Sequence, residues 1–340
     1  MGLKNAAIER ILLALIPGIL LSSCHMDHDG NVITVGISDF RDRDLSTISI
    51  STKEIPLDKG DFIIAPVQSM DFSDSVCYIL DREGMIVRYP LSGDDKPLIV
   101  DRHGSGPGEY VMPMSLQVYR DTLYLLDYPT AKILKYDLDL NHMGDISLKI
   151  PSRNFHVSRH GIFTENNDIR SIPCRIILYD HTGNSELNMV DVDGEQTNDE
   201  YIIADMDFRT YRDTTYALDS KGNRLLYFDG KRMADLMAFE FNGVASPADK
   251  GITHDSMMGT AVTTHCFPTG NGKLLSFLSE GIRYYSYIDA QGNAALSGKI
   301  TDTDDGYPFY PRWSYGKTPV GYLEGETDDS NGSLLFYSLK

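Results

Sequence analysis

DTLYLLDYPTAKILKYD, residues 121 to 137, reads as two short apolar strands joined by a turn and closed by an aspartate. The same pattern returns at Ser75 to Tyr89 (SVCYILDREGMIVRY) and at Asp213 to Asp229 (DTTYALDSKGNRLLYFD). Tyr, Ile, Leu and Phe suit a pleated, buried surface, and the Gly, Asn and Asp between them suit tight turns. The Leu-Asp pairs end at Asp81, Asp127 and Asp219, with gaps of 46 and 92 residues. The second gap is twice the first, so one unit keeps its place without its aspartate.

That unit is found at Arg175 to Asp180 (RIILYD), followed by the turn His181 to Asn184. Two more follow: Leu274 to Asp289 (LLSFLSEGIRYYSYID) and the terminal Ser333 to Tyr337. The ends of the returning strands fall at Tyr89, Tyr136, Tyr179, Phe228, Ile288 and Tyr337, spaced by 47, 43, 49, 60 and 49 residues. Six near-regular copies are a repeat architecture. Each copy has room for four short antiparallel strands at about 3.3 Å per residue. A sheet that is apolar on both faces can bury neither alone, and radial stacking around a channel buries both. The expected fold is therefore all-β, a six-bladed β-propeller. No outer strand can follow Tyr337, so Leu45 to Leu57 (LSTISISTKEIPL) is expected to close the ring by pairing with the C-terminal strand. Ser256 to Val262 is the only short stretch with any helical character.

The start of the chain reads differently. Lys4 and Arg10 precede an apolar run, Ile11 to Leu21, that ends in Ser22, Ser23 and Cys24. A cationic start, a short apolar segment and small residues form a secretory signal. The run is about half of the roughly 20 residues a bilayer span needs. Leu21-Ser22-Ser23-Cys24 resembles a bacterial lipobox, which implies cleavage before Cys24 and lipid on its thiol. The organisation expected is a signal peptide over 1–23, a lipidated tether over 24–44 and the propeller over 45–340. The implied location is the cell envelope, on an outer-membrane anchor facing either the periplasm or the cell surface.

Asp101 to Pro113 (DRHGSGPGEYVMP) resembles the glycine-rich inter-blade element of NHL-repeat and TolB-like six-bladed propellers. The matching residues are Gly104, Gly106, Pro107, Gly108, Glu109, Tyr110 and Pro113. The resemblance is good over about residues 75–145 and fades beyond them. The loop is no phosphate cradle. It lacks Gly-Lys-Ser/Thr and a following helix, and Pro107 removes an amide. Glu109 is expected to accept backbone hydrogen bonds, and the recurrent aspartates to bind the amides of their turns.

Removal of residues 1–23 leaves 29 basic against 48 acidic residues, a net charge of −19. That acidity excludes binding to a nucleic-acid backbone, which needs clustered Lys and Arg. Cys77, Cys174 and Cys266 are too few and too far apart for a disulfide framework or a zinc site, and at least two of them read as buried small hydrophobes. No nucleophile elbow or His-Glu-x-x-His occurs.

Two segments stand out as candidate binding surfaces. One is Phe241 to Thr269, with His254, Asp255, His265 and Cys266 in the region that widens the repeat. The other holds Tyr307, Phe309, Tyr310, Arg312, Trp313 and Tyr315, either a platform for peptide or carbohydrate or plain blade packing. The function expected is a non-catalytic binding module for a protein, peptide or glycan, with no cofactor. The alternative is a hydrolase or lyase holding a divalent metal at the channel mouth. The binding residues named are His254, Asp255, His265, Tyr310, Arg312 and Trp313.

Overall fold

A strand covered on both faces needs no polar side, and Val76–Asp81 (VCYILD) is buried at every position. Its period of two sends Val76, Tyr78 and Leu80 to one neighbour and Cys77 and Ile79 to the other. This is the logic of the whole chain. The structure, a computed structural model, describes residues 32–45, 49–59, 62–93, 95–166, 168–169, 171–191, 206–245, 259–269, 271–325 and 330–339. Among them there is no helix.

Two strands come first, β1 (Ile33–Ile37) and β2 (Ile50–Pro56). Six sheets follow, each running outward from an innermost first strand. Blade one is β3 (Val67–Ser73), β4 (Val76–Asp81), β5 (Ile86–Pro90) and β6 (Leu98–Val100). Blade two is β7 (Pro113–Tyr119), β8 (Thr122–Asp127), β9 (Lys132–Tyr136) and β10 (His142–Ser147). Blade three is β11 (Phe155–Ser158), β12 (Gly161–Glu165), β13 (Cys174–Tyr179) and β14 (Ser185–Asp191). Blade four is β15 (Asp207–Tyr211), β16 (Thr214–Asp219), β17 (Arg224–Phe228) and β18 (Met233–Phe241). Blade five is β19 (Ala261–Pro268), β20 (Gly272–Ser279), β21 (Ile282–Asp289) and β22 (Ala294–Gly298). Blade six is β23 (Trp313–Tyr315), β24 (Thr318–Leu323) and β25 (Ser333–Leu339), with β2 as its outer strand.

The ring closes where the sequence places the closure. β2 pairs antiparallel with β25, from Ile50 opposite Leu339 to Pro56 opposite Ser333. The six returning-strand residues used as a ruler all fall on the third strand of their blade, and all are buried. Six apolar clusters each join two successive blades, the last joining blade six to blade one. Cys77, Cys174 and Cys266 are buried free thiols within them.

Val32 to Asp44, in the stretch read as tether, is tied to the propeller. β1 adds a fifth strand to blade four, parallel to β18. Phe40 then wedges between blades four and five, edge-on to Phe277 and Tyr284 at 5.0 and 4.9 Å. Leu45 is buried between blades five and six, and its amide bonds the Lys299 carbonyl at 2.9 Å. Of the stretch considered helical, Ala261 and Val262 belong to β19; the residues before 259 lie outside the described ones.

The repeated aspartates are structural, as their place in the unit suggests. Asp81 accepts the amides of Glu83, Met85 and Ala65 at 2.9–3.3 Å. Asp127 departs from the expectation: the amides it accepts, Val111 and Met112 at 3.1 and 2.7 Å, belong to the loop before β7, and its own turn supplies the Thr130 hydroxyl. Glu109 accepts the Gly106 amide at 2.7 Å, and a side chain on Gly104 would collide with its carboxylate. Blade three, which lacks the aspartate, has Glu165 at the end of its second strand instead. Arg175 reaches from there to Asp219 at 2.9 Å, and all three side chains are buried.

Candidate binding site at the channel mouth

The first strand of each blade faces the channel, and polar side chains span the gaps that no backbone ladder fills. Gln117 of blade two bonds both the amide and the carbonyl of Val157 in blade three, at 2.6 and 3.1 Å. Asp71 of blade one takes the Val118 amide of blade two at 2.7 Å. Burial raises the Asp71 carboxyl to about 6, with the Val118 and Phe72 amides and Arg209 pulling the other way. His156 meets the Thr210 hydroxyl at 2.7 Å, and burial lowers its imidazole to about 4. These groups make the channel wall polar but internally satisfied.

At the end where the first strands begin, the channel widens into a cavity of about 590 Å³ lined by all six blades. Its chemistry is dominated by arginine. Arg153 enters from blade three, Arg283 from blade five and Arg312 from blade six. Arg209, just below, reaches across the channel from blade four. Its guanidinium bonds Asp207 at 2.9 Å, the Ser314 hydroxyl at 2.9 Å and the Arg312 carbonyl at 3.4 Å, and lies 4.4 Å above the Phe267 ring. Asp207 is the one carboxylate among the described residues of the cavity lining. Burial alone would raise its pKa, but Arg209 and His265 outweigh that and hold it at about 2. The Cys266 amide adds a bond at 3.3 Å. Asp207 is thus answered by Arg209, and Arg153, Arg283 and Arg312 supply the cations of the lining.

Arg283 is oriented by Thr264, whose hydroxyl it bonds at 2.9 Å, and by Tyr310, whose hydroxyl lies at 3.1 Å and ring centre at 4.6 Å. Its Nε and the Ser115 hydroxyl, both shielded from solvent, meet no protein partner among the described residues. A buried donor without a partner costs stability unless a ligand or water satisfies it. The cavity therefore offers unmet donors and positive charge together.

The residues named from sequence are placed as follows. His265 lines the cavity with its Nδ1 3.5 Å from Asp207, and burial holds its pKa below the ordinary value. Its neighbour Cys266 is in the core between blades four and five. Tyr310 and Arg312 are on the cavity wall, and the Arg312 guanidinium stacks over Trp313 at 4.7 Å. Trp313 packs into the seam between blades six and one, and Phe309 and Tyr307 into that between five and six. Of the five aromatics from Tyr307 to Tyr315, Tyr310 is the exposed one. Cys24, His254 and Asp255 lie outside the described residues. Sequence reasoning passed over Arg153, Asp207, Arg209 and Arg283. Arg153, the Asp207–Arg209 pair and Arg283 come from three different blades, so no spacing links them. The one available signal was charge at the start of a first strand, as in Asp207-Phe208-Arg209. Among the described residues, no three His, Cys, Asp or Glu side chains are grouped so as to hold a metal ion.

The DUF5128 family model, described as a 6-bladed beta-propeller, matches residues 55–169. A protein of Bacteroides fragilis whose name describes it as exported has a similar structure, with a TM-score of 0.71 at 13% identity over 90% of this chain and 99% of its own. A member of the DUF4221 family from Bacteroides vulgatus is similar with a TM-score of 0.53 at 9% identity, over 86% of this chain and 99% of its own. No curated protein matches the chain. Identities this low carry architecture and nothing finer, and that architecture is the one the strands build: the chain is a six-bladed β-propeller.

Proposed function

We propose that this protein is an exported binding module, lipid-anchored at Cys24 to the outer membrane, whose channel-mouth cavity receives an anionic group. The arginine cluster carries the reading. In a chain of net charge −18, Arg153, Arg283 and Arg312 line one cavity, with Asp207 the one carboxylate among its described lining residues. Guanidinium forks match carboxylate and phosphate oxygens, and the shielded Arg283 Nε has no protein partner among the described residues. The resemblance to TolB-like and NHL-repeat propellers supports a binding role on this fold, and the exported relative supports the envelope address.

The test is calorimetric titration with succinate, inorganic phosphate and the neutral analogue succinamide. The two anions should bind and succinamide should not. Replacing Arg283 and Arg312 by Ala should weaken each anion by roughly tenfold or more, the size of a lost charge-assisted bond. Equal binding of succinate and succinamide, or no effect of the double substitution, would refute the reading. For the address, Cys24→Ser should move the protein from the membrane to the soluble fraction.

A further inference from the structure

The described lining of the cavity holds one imidazole, that of His265 on β19. Asp207, on β15 of blade four, lies 3.5 Å from its Nδ1, and Arg209 of the same strand holds that carboxylate at 2.9 Å. Arg283, on β21 of the histidine's own blade, bonds the hydroxyl of Thr264, the residue before His265, and meets the Tyr310 hydroxyl at 3.1 Å. Arg153 and Arg312 add their charges to the lining from blades three and six. The His265 Nδ1 is shielded from solvent and makes no hydrogen bond with the described residues. Burial holds the ring below its ordinary pKa; Asp207 opposes that, and Arg209 and Arg283 add to it. Two other groups of the channel wall titrate. Burial holds His156 at about 4 and raises Asp71 to about 6.

We propose that the cavity takes up its anion together with a proton, and that His265 is the group that receives the proton. The inference rests on the anion-binding reading and names how that site is regulated. In the empty cavity a further positive charge beside Arg209 and Arg283 is repelled, and burial disfavours it as well. An anion held by the lining arginines cancels that repulsion and gives an imidazolium a second negative charge to answer besides Asp207. The occupied site therefore binds the proton more tightly than the empty one. By reciprocity the protonated site binds the anion more tightly, by the same factor. Affinity then climbs as the pH falls from the occupied-site pKa of His265 to its empty-site pKa, and is level outside that window. The balance is simple: one proton from solvent joins a ring nitrogen, and no bond of the ligand breaks. An arginine in this place would hold the anion at every pH, whereas an imidazole holds it in acid and loosens it as the pH rises.

The experiment titrates the full chain with sulfate, whose own charge is constant across the range used. Its affinity should rise about tenfold from about pH 8 to about pH 5.5, the equivalent of one pH unit of linkage. At about pH 7 the calorimetric heats in Bis-Tris and in imidazole buffer should differ in the sense of proton uptake by the protein. His265→Gln should lose both the rise and the buffer dependence. A second measurement needs no variant: the titration midpoint of the His265 ring resonance should be higher with saturating sulfate than without. A sulfate affinity indifferent to pH, or a ring midpoint that sulfate leaves in place, would overturn the proposal while leaving the anion site standing. So would a pH dependence that survives His265→Gln, which would pass the proton to Asp71. Absence of binding by both sulfate and succinate at every pH would instead bring down the reading on which the proposal rests.

Discussion

Asp207→Asn tests whether the cavity is built around charge. Asp207 is 14% exposed, and its carboxylate bonds the Arg209 guanidinium at 2.9 Å and the Cys266 amide at 3.3 Å. The Arg209 and His265 interactions overcome burial and lower its pKa from 3.8 to about 2. At about 1.4 kcal/mol per pH unit, that gap is worth about 2 kcal/mol of folding stability. The folded pKa lies below the unfolded one, so the contribution is complete above about pH 4 and is lost as the pH falls towards about 2. Asparagine keeps the shape without the charge. Urea unfolding of both proteins across pH 7 to pH 2.5 should therefore show a difference of about 2 kcal/mol at neutral pH that shrinks below pH 4. The difference between the two proteins cancels the acid sensitivity common to the other carboxylates. Coincident fluorescence and circular-dichroism transitions should be shown first, because a chain of this size need not unfold in one step. A difference below about 0.5 kcal/mol at pH 7, or one that does not change between pH 5 and pH 2.5, would refute the coupling of Asp207 to Arg209.

Asp71 should behave with the opposite sign. Burial raises its folded pKa to about 6, so stability falls as the pH rises from about 4 to about 6, and the wild type should lose about 3 kcal/mol relative to Asp71→Asn over that window in the same assay. Asp219→Ala should cost about 3–5 kcal/mol in the same assay, because the buried Arg175 guanidinium loses its partner at 2.9 Å and keeps Glu165 at 3.5 Å, and Arg175→Met in the same chain should not restore the loss, because it takes the cation from the buried Glu165. Gly161→Ala should lower the melting temperature markedly. Its φ of +129° is unfavourable for alanine, and the new Cβ would lie 2.2 Å from the Tyr179 carbonyl oxygen.

What the sequence disclosed and what it hid follow from one physical distinction. A repeated unit is legible when each copy solves the same packing problem with the same residue type. Tyr89, Tyr136, Tyr179 and Tyr337 are all third-strand residues buried against a neighbouring blade, so their spacing exposes the six-fold ring before any coordinates. Closure was legible for the same reason, because a blade with three strands leaves an edge that something must cover. The channel mouth obeys no such rule. Asp207 and Arg209, Arg283, and Arg312 meet because three places in the chain converge on one axis, each in a different local context. β1 was hidden likewise. Ile33–Ile37 reads as a strand, but nothing within it names the outer edge of blade four, some 200 residues on, as its partner. The aromatic run from Tyr307 to Tyr315 allowed a platform or blade packing, and most of it packs: Tyr307 and Phe309, before β23, enter one seam and Trp313 and Tyr315, on β23, enter the next. In a propeller the scaffold is written once per blade and the site only once per molecule. The residues that break the repeat around the channel mouth are therefore where a ligand should be sought, and here arginines from three blades are among them.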